Sequence, residues 1–317
     1  MTARRLSLLL ALALVPLTLA SLLWDPAMLQ SVAARDPGLA RTILLELRLP
    51  RTGLALLIGA SLGLGGAAMQ GLLRNPLASP DVLGPSTGAS LGAVIAGYFL
   101  GGGTLAVAAG GISGALLALA LLLALAGPAA TTATLVLAGV AISALGGALV
   151  NLALSLAPSP YALYDVMFWL LGSLADRSLP QLAVAAPIII IAGGVLLAQR
   201  HSLDSLALGE DVATSLGVQV PRLRWTIVVA TGVMVGAGVA VAGGIGFIGL
   251  IVPHLVRPLV GNRPGAALVP SALGGAALLL AADLAVRVPV NGQELKLGVL
   301  TALIGAPFFL WLVVRGR

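Results

Sequence analysis

The chain has no cysteine among its 317 residues, so it builds no disulfide, thiolate metal site or iron–sulfur cluster of its own. It has two histidines, His201 and His254, too few and too separated in sequence to suggest a zinc site. Its single lysine, Lys296, is followed by Leu297, whereas a phosphate-binding P-loop needs lysine followed by serine or threonine. ATP hydrolysis through a P-loop of this chain is therefore excluded. No H-E-x-x-H occurs, and G-x-S-x-G is missing from any strand–turn–helix context. Charge is scarce at 9%, against roughly 25% in soluble domains. The net charge of +6 is scattered in ones and twos, with no basic run dense enough for nucleic acid.

Apolar residues fill the space left: 59% of the chain is hydrophobic and the mean hydropathy is +1.09. Long apolar runs without strand-like alternation imply helices, since membrane-spanning backbone must satisfy its own hydrogen bonds. The 41 glycines suit close helix packing, where van der Waals contact drives association. Gly59-x-x-x-Gly63, Gly63-x-x-x-Ala67 and Gly232-x-x-x-Gly236 are the clearest such patterns. The chain reads as an all-α polytopic membrane protein, a single transmembrane domain over 1–317.

A spanning helix needs about 20 apolar residues. Ten segments approach that length: 6–24, 52–73, 86–103, 104–126, 134–156, 181–199, 225–243, 246–261, 266–284 and 297–314. The first resembles a secretory signal, with two arginines before an apolar core, but no clear A-x-A site ends it, so it reads as an uncleaved span. The segment 246–261 is short, and Pro253 suggests a kink or break. Ten spans put both termini on one side. Placing them in the cytoplasm puts arginines 4, 5, 74, 200, 222, 224, 257, 263, 315 and 317 inside, against 35, 41, 48, 51, 177, 287 and Lys296 outside, in keeping with the positive-inside rule. Residues 200–224 then form a cytoplasmic loop, while 25–50 and 157–180 are outer connections. Within the latter, 161–173 is apolar but too short to cross, as in an interfacial or re-entrant helix.

The spans hold almost no ionisable groups, where ion-coupled carriers usually place them. Asp283 is the only candidate for such a role, and Arg287 four residues on allows a plain i,i+4 pair instead. Asn151, with Ser155 one turn later, is the most evident polar group in the fifth span, suited either to an interhelical hydrogen bond or to lining a path. The chain reads as a pathway without a motor.

Four stretches carry more: R-L-P-R at 48–51, Q-G-L-L-R-N-P-L-A-S-P-D-V-L-G-P-S-T-G-A-S-L-G at 70–92, L-A-L-G-E-D-V-A-T-S-L-G-V at 206–218, and G-F-I-G-L-I-V-P-H-L-V-R at 246–257 with L-T-A-L-I-G-A-P-F-F-L-W-L at 300–312. In this order they resemble the FecCD-type permeases of ABC importers for ferric siderophores, haem and cobalamin, from about residue 40 to the C-terminus. The resemblance implies a cobalamin-importer-permease-like fold and a subunit without cofactor in the bacterial cytoplasmic (inner) membrane. It also implies a dimer with a second permease copy or paralogue, two cytoplasmic ATP-binding subunits and an extracytoplasmic substrate-binding protein. Such a subunit is a transport component and not itself an enzyme.

The resemblance gives the charged insert a role as the element that fits the ATPase. The residues suit it: Glu210 and Asp211 favour the positive end of a helix begun after Gly209, and Gly217 can close it. Val212, Leu216 and Val218 offer apolar contacts beside the charge, and Leu208 ahead of Gly209 belongs to the same coupling stretch. By the same resemblance Arg48, Arg51 and Arg287 pair with acids of the binding protein, although interfacial snorkelling accounts for outer arginines as well. Asn151 and Ser155 would line a dimer-interface path. N-P-L-A-S-P-D-V-L-G and F-W-L-L-G-S-L look most like the ferric-siderophore branch, ferric citrate included, with haem and cobalamin behind. The chain departs from the family pattern at Gly244, Lys296 and Pro85, which are local backbone changes at the outer gate and inner loop.

Overall fold

The computed structural model describes residues 2–127, 130–157, 159–289 and 294–315; Pro158 of the expected outer connection, Gln293 of the outer loop and Arg317 lie outside them. The helices run, in chain order, α1 (Ala3–Leu22), α2 (Pro26–Arg35), α3 (Pro37–Thr42), α4 (Leu49–Leu73), α5 (Pro85–Val94), α6 (Thr104–Ala126), α7 (Thr132–Ser155), α8 (Pro160–Leu170), α9 (Leu179–Ala198), α10 (Arg200–Leu206), α11 (Glu210–Ser215), α12 (Val220–Ala242), α13 (Ile248–Leu259), α14 (Pro264–Val286) and α15 (Leu297–Arg315). No strand occurs among the described residues.

Helix starts follow local chemistry. Asp25 and Asp36 cap α2 and α3 with proline in the first turn, Ser159 does so before Pro160 of α8, and Ser178 forms a capping box with Gln181 at α9. A π-helical turn at Ile43–Arg48 joins α3 to α4, so helix runs unbroken from Pro37 to Leu73.

Among the described residues, seven helices are long and apolar enough to cross a membrane: α1, the run ending in α4, α6, α7, α9, α12 and α14. The other three expected segments fall short of that measure. The described apolar run of α15 is Leu297–Trp311, and α5 with its π-turn at Ile95–Phe99 ends before the expected 103. α13 has 12 residues, about 18 Å of rise against a core of about 30 Å, so it does not cross alone. Phe247, at φ 66°, turns the chain into it.

Burial separates centre from rim. In α4 and α12, 78% of the apolar window is covered by protein, against 28% in α7 and 11% in α1. α4 packs on α14 through small residues: a Cβ on Gly59 would meet the Gly275 carbonyl at 2.5 Å, and one on Gly63 would overlap the Ser271 carbonyl. The 232–236 pattern on α12 likewise admits Pro85 and Ala115.

Candidate functional site

The bundle has two polar ends, and each gathers residues singled out by sequence. At one end lies the connection between α9 and α12. α11 is a six-residue helix that begins after Gly209 (φ 114°) with Glu210 and Asp211 in its first turn. It closes at Gly217 (φ 86°): Gly217 N–H donates to the Thr214 carbonyl at 2.9 Å and Val218 N–H to the Ala213 carbonyl at 3.0 Å. Leu208, Val212 and Leu216 are 66%, 44% and 61% exposed. So short a helix is held by its surroundings rather than by itself.

Two ion pairs that sequence reasoning does not pick out fasten this connection, one on α11 and one on the adjoining α10. Glu210 Oε1 accepts from Arg224 Nη2 at 3.1 Å, tying α11 to the N-terminal part of α12, while Arg224 also donates to the Ala130 carbonyl. Asp204 Oδ2 accepts from Arg263 Nη2 at 2.7 Å and its Oδ1 from the Gly265 N–H at 2.9 Å, tying α10 to the start of α14. The only signal in sequence is a few isolated charges flanking apolar runs, and their partners are 14 and 59 residues away. Among the described residues of the 74–85 loop only 74–77 stands exposed; Asp81 turns inward and accepts hydrogen bonds from Ser79 and Ser86.

At the other end Asp283, fully buried in α14, accepts from two arginines. Arg51 Nε donates to Oδ1 at 3.0 Å and Oδ2 at 3.2 Å, and Arg287 Nε donates to Oδ2 at 3.0 Å. Arg287 donates further to the Ser21 carbonyl (2.8 Å) and hydroxyl (2.7 Å), and that hydroxyl is 2.7 Å from Thr52 Oγ1. Arg51 Nη2 also reaches Glu294 at 3.2 Å, and Arg48 donates to the Leu22 carbonyl at 3.0 Å. The i,i+4 pair expected of Asp283 and Arg287 is therefore present, with a third member from α4. Arg287 is buried, Arg48 and Arg51 partly exposed. Asp25 lies close enough to Arg48 to act on it electrostatically, so three guanidiniums are set among three carboxylates, Asp25, Asp283 and Glu294.

Beside it the backbone of three segments is laced together. Ser173 N–H donates to the Ala242 carbonyl at 2.8 Å, Leu297 N–H to Gly172 at 3.0 Å and Gly298 N–H to Leu171 at 3.1 Å. Lys296 sits 5.5 Å over the Phe168 ring, so it holds its loop to α8 by a cation–π contact. Asn151 and Ser155 lie in the last turns of α7, near this end rather than mid-span, and both are exposed. Ser155 Oγ donates to the Asn151 carbonyl at 2.9 Å.

A bundle of span-length apolar helices packed through small residues, with a short exposed helix at one end and an arginine cluster at the other, fits a membrane permease. The match to known proteins agrees and is specific: residues 7–315 fit the model of the FecCD transport family, and the chain belongs to it. It is 43% identical over 286 residues to the vitamin B12 import permease BtuC of Vibrio cholerae, covering 88% of this chain and 85% of that one. It is also 43% identical over 282 residues to the Fe(3+) dicitrate permease FecD of Escherichia coli K12, covering 87% and 86%. An inward-facing structure of a metal-chelate type ABC transporter superposes with TM-score 0.88 at 33% identity, over 98% of this chain and 99% of that one. The chain is thus the permease subunit of an ABC importer of the metal-chelate and cobalamin class. ATP hydrolysis belongs to separate subunits, and the ion-coupled alternative resting on Asp283 falls away.

Proposed function

We propose that this permease moves a ferric siderophore or a related ferric chelate such as ferric citrate from a binding protein across the cytoplasmic membrane by alternating access. The ATPase engages α11 and the exposed residues 74–77, so this end and both termini face the cytoplasm. The observation that carries the reading is the trio Leu208, Val212 and Leu216, apolar and solvent-facing on and beside a helix that one ion pair ties to α12, while a second ties the adjoining α10 to α14. Apolar side chains ringed by charge suit a protein partner. At the opposite end the partly exposed guanidiniums of Arg48 and Arg51 are placed to pair with acids on the lobes of a binding protein. Arg48 and Arg51 make the direct contact, and Arg287 holds Asp283 and the register beneath them. A second permease copy or paralogue packs beside the first so that the exposed face of α7, with Asn151 and Ser155, lines the path.

The ferric reading is supported by N-P-L-A-S-P-D-V-L-G and by the identity to the Fe(3+) dicitrate permease. Cobalamin is the second reading, favoured by the equal identity to the B12 permease, and haem is the third. In proteoliposomes holding the complete importer, ATP-dependent uptake of radiolabelled ferric citrate and siderophores is expected, with none of labelled cobalamin. Cobalamin uptake alone would transfer the protein to the second reading. Asp211→Arg with Leu216→Asp should release the ATPase while the permease stays folded; retention of the ATPase by that variant would sink the role of α11.

A further inference from the structure

A cavity of about 360 Å³ opens at the Asp283 end, away from the arginine cluster and unused by the transport reading. It lies between the last turns of α5 and its π-turn, the start of α6, the end of α8, the start of α9 and the end of α12. Its polar lining is Arg177, Gln181, Tyr98, Thr104 and Trp169, set against an apolar wall that includes Val94 and Val107.

Arg177 is partly buried, and burial pushes its guanidinium below the ordinary arginine range, with Asp176 pulling the other way. It makes no ion pair among the described residues. Its Nε donates to the Ser173 carbonyl at 3.2 Å, which fixes the group and leaves the two Nη nitrogens without a protein acceptor among those residues. Gln181 is only 2% exposed, and its Oε1 is committed to Ser178, accepting from the backbone N–H at 2.9 Å. That commitment orients the amide and leaves its NH₂ unpartnered among the described residues. Donors thus converge on one polar space large enough for a headgroup, with a positive charge that no described residue neutralises by direct contact. An uncompensated charge in such a place is unfavourable unless something pairs with it.

We propose that this cavity binds one oxyanion, a phosphate group held by Arg177 and Gln181, supplied by an anionic phospholipid headgroup or by soluble phosphate. The Arg177 fork matches two phosphate oxygens, and a guanidinium does this better than a point charge. Tyr98 and Trp169 are of the type that sits at headgroup depth, and the apolar wall suits the glycerol and first methylenes of a lipid.

The test uses the permease purified with its ATPase in detergent and stripped of lipid. Phosphatidylglycerol, phosphatidylethanolamine and inorganic phosphate are titrated separately while the thermal midpoint and retained lipid mass are read. Phosphatidylglycerol is expected to raise the midpoint of the wild type more than phosphatidylethanolamine does. Arg177→Gln should need about tenfold or more of it for half the effect. Arg177→Lys, keeping charge without the fork, should fall between. Without ligand, Arg177→Gln should melt at or above the wild type, because an unpaired charge has been removed, and this doubles as proof that the variant folds. A response to phosphate and not to phosphatidylglycerol supports the site with the soluble anion as its source. Equal responses of wild type and Arg177→Gln to both probes overturn the proposal. So does an Arg177 effect seen only when the binding protein is present, which would make the occupant a protein carboxylate.

Discussion

Asp283 shows how one residue's meaning changes with its partners. In sequence it is an acid near a helix end with an arginine one turn on; in the fold it is fully buried and shared by Arg51 and Arg287. Removing its charge strands two arginines, and breaking a buried pair in this way costs about 3–5 kcal/mol. Asp283→Asn is therefore expected to lower the thermal midpoint of the purified complex sharply. Glu294→Gln, which touches only a half-exposed pair, is expected to change stability by under about 1 kcal/mol. A mild Asp283→Asn phenotype would mean that Ser21 and Thr52 hold the arginines without it. The long-range half of this cluster is illegible in sequence because Arg51 and Asp283 lie 232 positions apart and no periodicity connects them. The local half is legible because it fits within one helical turn.

At the level of elements, patterns confined to one helix read well. Gly59-x-x-x-Gly63 predicts close packing, and α14 comes close enough that Gly63→Leu should force the helices apart at about 1–3 kcal/mol or more, seen as lost monodisperse protein. The short helix at 210–215 is equally visible, since glycines and acids mark its ends. Lengths read less well: α13 and α5 are shorter than their apolar runs, because hydropathy continues through backbone that has left the helix. The tethers are not visible at all, yet the Glu210–Arg224 pair is what fixes α11 against α12. Arg224→Gln is predicted to leave ATPase binding intact in co-purification while weakening the linkage between nucleotide and transport by about 0.5–2 kcal/mol. Loss of ATPase binding in that variant would mean that Arg224 shapes the docking surface itself.

For the whole molecule, the absence of cysteine makes every introduced thiol unambiguous. If the α7 face lines an aqueous path, Asn151→Cys in the assembled importer should react with a membrane-impermeant maleimide, and its labelling should change with nucleotide. Leu12→Cys, on the exposed face of the rim helix α1, should stay unlabelled in both states. Equal protection of the thiol at position 151 in all states would move the path to another face. Fold class and family are legible from composition and four ordered motifs. The substrate is not, because no chelating set of side chains occurs among the described residues and shape alone must decide among large ligands.

Helix α14 begins where Asp204 grips Arg263 and the Gly265 N–H, and ends where Asp283 grips Arg51 and Arg287. It is a rod of 23 residues, about 34 Å, fastened at both tips by charge and along its length by glycine contact with α4. Clamped in this way the helix couples its two tips, with Pro270 the place where its hydrogen-bond ladder is interrupted. Free-energy linkage then runs in both directions: whatever factor the nucleotide imposes on the grip of a docked partner at the far tip, that partner imposes on nucleotide affinity in return. The two arms of that reciprocity are measurable separately, and linkage requires them to be equal whatever element carries the coupling.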